Sequence, residues 1–291
     1  MKHPHTRLLV LSLCWLFLAF SSEAQLHLGF YGGLTFSNIQ GPVEKPVDAA
    51  GEEFSSITGF HIGLRGQYDL NDWLAVGGGF GYAQKGAQYT YQGPSFFRLQ
   101  NRRTATFPFF EGSRQVEMQI NTDHLDIPVF IQFSPFDQLQ IYGGPYVSFT
   151  ILARSTGAIR FTPDGAEQLE VNIDYNYFSD EFGLDPELAT ENIEISGEDY
   201  FYPESVGPYY ELDEVENNLF EVVDYGLQGG LNFFITSGLY LNGEIMYGLN
   251  DMTNERVDFS IVTRDAGGED FIYRDDFDRF ISYKLSIGFA F

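Results

Sequence analysis

Hydrophobic positions in this chain recur at every second residue over long stretches, a spacing that makes two distinct faces only on a β-strand. The clearest case is the C-terminal stretch. Ile281, Tyr283, Leu285, Ile287, Phe289 and Phe291 alternate with Ser282, Lys284, Ser286, Gly288 and Ala290. The pattern predicts eight strands: Leu26–Asn38, Thr58–Leu70, Trp73–Tyr91, Val116–Ser134, Leu139–Ser155, Leu219–Ile235, Leu239–Leu249 and Ile281–Phe291. A tilted strand crosses a bilayer in roughly 9–11 residues, and each stretch is long enough. Tight turns fall at Asn71-Asp72, at Pro135 to Gln138 and at Thr236 to Gly238. Long connections fall at 39–57, 92–115, 156–218 and 250–275. Short turns at one end and long loops at the other are the mark of a single-chain bacterial barrel. The expectation is all-β: an antiparallel eight-stranded transmembrane β-barrel with long extracellular loops, in the outer membrane of a Gram-negative cell, both termini periplasmic. A soluble lipocalin-like barrel would turn its polar parity outward.

Charge assigns the inside. Lys or Arg facing lipid at mid-depth costs about 2–4 kcal/mol. The polar parity therefore faces the lumen: His61, Arg65, Gln67 and Asp69, then Trp73 and Lys85, then His124, Asp126 and Gln132. Later strands add Gln140, Tyr142, Tyr146, Arg154, Asp224, Gln228, Asn232, Asn242, Glu244 and Lys284. Inward glycines at Gly77, Gly79 and Gly81 make room for bulky side chains opposite. Eight strands enclose a space that side chains can fill. The expected lumen is a packed polar network in which Arg65, Lys85 and Lys284 pair among Asp126, Asp224 and Glu244, with no through-pore.

The N-terminus departs from this pattern. Lys2 and Arg7 precede an apolar run from Leu8 to Phe20, and Ser22-Glu23-Ala24 supplies small residues before a cut. Residues 1–24 are thus expected to be a signal peptide, with Gln25 to Phe291 as the barrel. The run is shorter than the roughly 20 residues of a spanning helix. Cys14, the one cysteine, lies inside it, so no disulfide is expected beyond it. The formal charge of −25 argues against a nucleic-acid partner, whose phosphates it would repel.

Several strands also carry a family's phrases. His124-Leu125-Asp126-Ile127-Pro128-Val129 resembles a strand of PorT-like, porin-family outer-membrane β-barrel proteins. Tyr142-Gly143-Gly144-Pro145-Tyr146-Val147-Ser148 is similar to the strand that follows there. Asp224 to Gly230, Tyr247 to Asp251 (without the family's arginine) and Lys284 to Phe291 match further strands in order. The resemblance covers the strands and not the long loops. It implies an eight-stranded outer-membrane barrel and no single activity. The family's founding member is linked to protein secretion, and the enlarged third loop here departs from that compact pattern.

That loop, 156–218, holds seventeen Asp or Glu against one basic residue, Arg160, with aromatics interleaved from Tyr175 to Tyr210. Arg160 to Asn172, centred on Pro163-Asp164-Gly165, predicts a hairpin that continues the strands above the membrane. Loop 92–115 has the opposite sign, with Arg98, Arg102, Arg103 and Arg114. The two loops are expected to attract each other. The acidic loop is read as a solvated segment, as a surface for a protein or glycan, or as a divalent-cation site. No EF-hand spacing supports the last.

Catalytic signals are weak. His124 and Asp126 share a strand face, but no hydrolase, metalloprotease or phosphate-loop motif is present. The expected role is non-enzymatic and cofactor-free, for a monomer in outer-membrane lipid. A narrow transport or secretion-accessory barrel is the first rival, and a membrane enzyme the second.

Overall fold

The computed structural model describes residues 26–104, 106–179, 190–207, 210, 218–254, 258–264, 271–274 and 276–291. The expected signal peptide lies outside these residues. Among them are fourteen strands. They are β1 (Leu26–Gln40), β2 (Gly51–Asn71), β3 (Leu74–Arg98), β4 (Phe109–Phe136), β5 (Leu139–Pro163), β6 (Leu169–Asn176) and β7 (Glu191–Ile195). β8 (Glu198–Tyr202), β9 (Ser205–Val206), β10 (Val223–Phe234), β11 (Leu239–Gly248), β12 (Phe259–Arg264), β13 (Phe271–Tyr273) and β14 (Arg279–Ala290) follow.

Eight of them close a ring. β1 to β5 pair in sequence, β5 pairs with β10, β10 with β11, β11 with β14, and β14 returns to β1. Every pairing in the ring is antiparallel. Closure leaves no free strand edge in the ring. The alternation selects the register. Phe30, Leu64, Val129, Val147, Leu227, Leu241 and Leu285 stand exposed on the outer face. The opposite parity, including Thr35, His61, Lys85, Asp126, Asp224 and Lys284, is buried inside.

β3, β4 and β5 run to 25, 28 and 25 residues. That is far past the roughly 11 a bilayer needs, and at about 3.3 Å per residue the excess is some 45 Å along β3 and β5 and some 55 Å along β4. Much of the expected loop 92–115 is therefore strand. On β4 the chemistry of the two faces inverts although the strand keeps its own alternation. Near Asp126 the inward side is polar and the outward side apolar. Beyond Thr122 the inward side holds Ile120 and Val116, and the outward side Gln119 and Glu117. The same ladder thus lines a polar lumen in one half and a hydrophobic core in the other.

Two inward assignments fail at β-bulges, where one extra residue reverses parity. Arg154 faces outward and pairs with Asp174 at 2.7 Å, because the β4–β5 register slips between Asp123 and His124. Trp73 sits outside, edge-on to Phe133, beyond a slip between Asp69 and Asn71.

Candidate functional site

Six lumenal charges form one continuous network. Lys85 Nζ lies 3.5 Å from Asp224 and 3.1 Å from Asp126 Oδ1. Asp126 Oδ2 accepts from Lys284 at 2.8 Å. Lys284 stands 3.7 Å from Glu244, which lies 3.5 Å from Arg65. Three cations thus alternate with three carboxylates across β2, β3, β4, β10, β11 and β14. Neutral donors complete the shell. Ser148 donates to Asp126 at 2.7 Å, Tyr142 to Glu244 at 2.6 Å and Tyr146 to Asp224 at 3.2 Å. Alternating charges backed by hydrogen bonds from neutral side chains are what a buried ionic cluster requires.

Arg65 closes one end of the network. Its guanidinium carbon lies 4.2 Å from the Tyr142 ring centre, 4.8 Å from Phe130 and 5.6 Å from Tyr31. Phe130 fits there because Gly77 faces it: a Cβ on Gly77 would stand 2.5 Å from the ring. Beyond Arg65, toward the short turns, a vestibule of about 900 Å³ opens, edged by His27, Gln67, Asp69, Gln138, Gln140 and Asn232.

The two lumenal histidines are fully engaged. His124 contacts Thr122 at 2.8 Å and Ser148 at 3.1 Å, with its ring edge-on to Phe280. His61 contacts Thr35 at 3.0 Å and Ser286 at 2.6 Å. Both are buried. Asp126, the partner expected for His124, is committed to the two lysines.

Above the lumen the long-loop end is a β-structured head. β5 and β6 form the hairpin around Pro163 to Gly165. β9 adds to β6 in parallel, and β7 pairs with β8. Phe97, Leu99, Val116, Ile159, Phe161, Val171, Ile173, Ile193 and Val206 are buried in its core. The described part of 156–218 is therefore packed structure and not a bare solvated loop. Tyr177 and Tyr210 are buried too, so these two of the interleaved aromatics are packed inside and are not part of a surface for a protein or glycan. Burial pushes the Tyr177 hydroxyl well above its ordinary range. Phe182 and Tyr209 lie outside the described residues.

The oppositely charged loops do meet. Gln100 and Phe201 exchange backbone hydrogen bonds at 2.8 and 2.9 Å. Arg102 covers the Phe201 ring at 4.2 Å, and Arg103 pairs with Glu198 at 3.4 Å. Arg98 and Arg114 turn instead to Phe109 and Phe97. The head's outward face keeps Glu117, Glu170, Glu191, Glu194 and Asp199 exposed. Among the described residues no cluster of three or more His, Cys, Asp or Glu is placed to hold a metal ion.

Sequence reasoning missed the Arg65 cage and the head core. Alternation at Leu169, Val171 and Ile173 was the available signal for the core.

Comparison with known proteins follows the same architecture. A family model described as "Outer membrane protein beta-barrel domain" matches residues 20–254. No curated protein sequence matches the chain. Similar solved structures include Ail, the attachment invasion locus protein of Yersinia pestis, in complex with the heparin analogue sucrose octasulfate. It is 10% identical, with 93% of this chain and 100% of that one covered and a TM-score of 0.35. The outer membrane protein OprG from Pseudomonas aeruginosa is 11% identical, with coverage of 91% and 95% and a TM-score of 0.34. The outer membrane protease OmpT from Escherichia coli is 6% identical, with coverage of 93% and 97% and a TM-score of 0.33. With four-fifths of its length matched by the family model, the chain belongs to the outer membrane protein β-barrel domain family and resides in the outer membrane.

Proposed function

We propose that this protein is a closed, monomeric, non-enzymatic outer-membrane barrel that holds an acidic β-structured head at the cell surface. One observation carries this reading. β3, β4 and β5 each run as a single strand from the lipid-facing belt into the head, with one β4–β5 bulge at Asp123–His124 on the way, so the barrel is a stalk for it. In this orientation both termini and the three short turns are periplasmic.

The lumen supports a structural role for the barrel. A transport path would have to pass the six paired charges and the aromatic cage around Arg65. The buried, fully bonded His124 offers no open base to a substrate, which favours a non-enzymatic role. The exposed carboxylates of the head favour a partner protein with a basic face, through complementary potentials. A glycan bearing amino groups would use the same charge.

Orientation is tested with cysteine chemistry, since Cys14 is the one natural cysteine. A membrane-impermeant maleimide on intact cells should label Glu198→Cys and leave Asp72→Cys unlabelled. Labelling of Asp72→Cys alone would reverse the topology and remove the head from the surface.

A further inference from the structure

A cavity of about 170 Å³ lies inside the head, between the polar lumen and the outer loops. Its wall is largely apolar, with Ile120, Ile159, Ile173, Leu219, Phe220 and Phe259 contributing. An apolar cavity of about 150 Å³ holds one benzene ring. One side of this cavity is different in kind. Asp258 and Asp278 both line it, and both are buried.

These carboxylates are short of partners. Asp278 is 8% exposed, and its Oδ1 has no hydrogen-bond partner. Asp258 is approached by the Thr253 hydroxyl at 3.2 Å. Among the described residues neither has a cation within ion-pair distance. Arg274 also lines the cavity but is already held by Glu52 at 2.9 Å and Asp276 at 2.7 Å, with Glu44 at 4.0 Å. Asp251 stands behind the pair, its carboxylate accepting the Asp278 N–H at 3.0 Å. Tyr89, Tyr175 and Tyr177 complete the titratable wall, and Arg114 is turned to the Phe96 carbonyl. A buried carboxylate with no counter-charge is costly, and a cation supplied from outside would relieve it.

We propose that this cavity binds a small aromatic primary amine, with the ring in the apolar chamber and the ammonium on Asp258 and Asp278. The chamber matches a single ring in size, and the carboxylates supply acceptors where the wall lacks a free cation. Burial, then the neighbouring carboxylates, pushes each of these two acids up to about 7. An ammonium favours their ionised forms, so binding should weaken as pH falls below that value. This site is separate from the acidic outer face and does not rest on a partner docking there.

Benzylamine is the probe and benzyl alcohol its neutral counterpart. Calorimetry on the full barrel in lipid nanodiscs near pH 8, where the carboxyls are ionised, should show saturable one-to-one binding of benzylamine. Empty nanodiscs give the partition background. The amine should bind roughly tenfold or more tightly than the alcohol, the scale of one added charge pair. Asp258→Asn and Asp278→Asn should each abolish that difference and leave the weak binding of the alcohol unchanged. Both lie outside the barrel ring, and unboiled gel mobility checks that each variant is folded. Equal binding of amine and alcohol, benzylamine affinity unchanged in both variants, or no saturable benzylamine binding would overturn the proposal.

Discussion

Asp126→Asn and Lys284→Met, made singly and together, would measure how tightly the lumenal charges depend on one another. Asp126 is the hub: it meets Lys85 at 3.1 Å, Lys284 at 2.8 Å and the Ser148 hydroxyl at 2.7 Å. Its loss leaves each lysine one longer carboxylate contact, to Asp224 at 3.5 Å or Glu244 at 3.7 Å, and Lys85 the Ser148 hydroxyl at 3.4 Å. Removing one member of a buried ionic group costs about 3–5 kcal/mol, and Asp126→Asn should fall in that range. Lys284→Met should cost less, about 2 kcal/mol by the same reasoning, since Asp126 keeps Lys85 and Glu244 keeps Arg65. The double variant restores neutrality, with Lys85–Asp224 and Arg65–Glu244 both intact. It should be no worse than Asp126→Asn alone, a coupling of about 2 kcal/mol against the roughly 0.5 kcal/mol expected of independent sites. Urea unfolding of the barrel refolded in lipid would report it. In a chain starting at Gln25, Trp73 is the sole tryptophan and gives the fluorescence signal. At about 2 kcal/mol per molar urea, Asp126→Asn should move the midpoint by some 2 M. Additive single and double effects would refute the reasoning, because water filling the lumen would then be screening each charge separately.

Three further outcomes follow from the same geometry. Arg65→Lys should lower the urea midpoint by the equivalent of about 1–2 kcal/mol, because an ammonium cannot reproduce the planar stack on Tyr142 and Phe130. Phe97→Ala removes a ring packed against Tyr210 and Phe161 at 5.6 and 5.7 Å. It should cost the head about 3–5 kcal/mol and speed protease cutting within 156–218, while the barrel keeps its unboiled gel mobility. Asp278→Asn should stabilise the protein near neutral pH and lose that advantage in acid. Burial, then Asp276, raises this carboxyl to about 7 in the folded state. The native protein therefore loses stability as pH climbs from the ordinary carboxyl value toward 7, and the amide does not. About 1.4 kcal/mol per pH unit sets a ceiling near 4 kcal/mol, and local relaxation should bring the gain to about 2. Melting curves at acid and neutral pH check it.

The ring was legible because lipid and lumen impose opposite chemistry on neighbouring residues. Ile281 to Phe291 shows this without interruption, and a lysine at 284 fixes which side is inside. The head was harder to see for the same reason. Past Thr122 on β4 the apolar parity moves from outside to inside, so the outward apolar positions stop although the strand does not. Trp73 and Arg154 were misplaced by bulges, which shift parity by one residue and leave no trace in the alternation. The Arg65 cage depends on Tyr31, Phe130 and Tyr142 from three strands, and only the closed ring brings them together. Asp258 and Asp278 are twenty residues apart and meet at one cavity only through the folding of the β11–β14 connection.

Planar-bilayer conductance of the refolded chain from Gln25 to Phe291 tests the closed lumen most directly. The paired network from Asp224 to Arg65 predicts a silent membrane, with no discrete current steps. Steady unitary channels would contradict it: the charges would then line a water-filled path, and selective transport would replace the stalk as the role of the barrel.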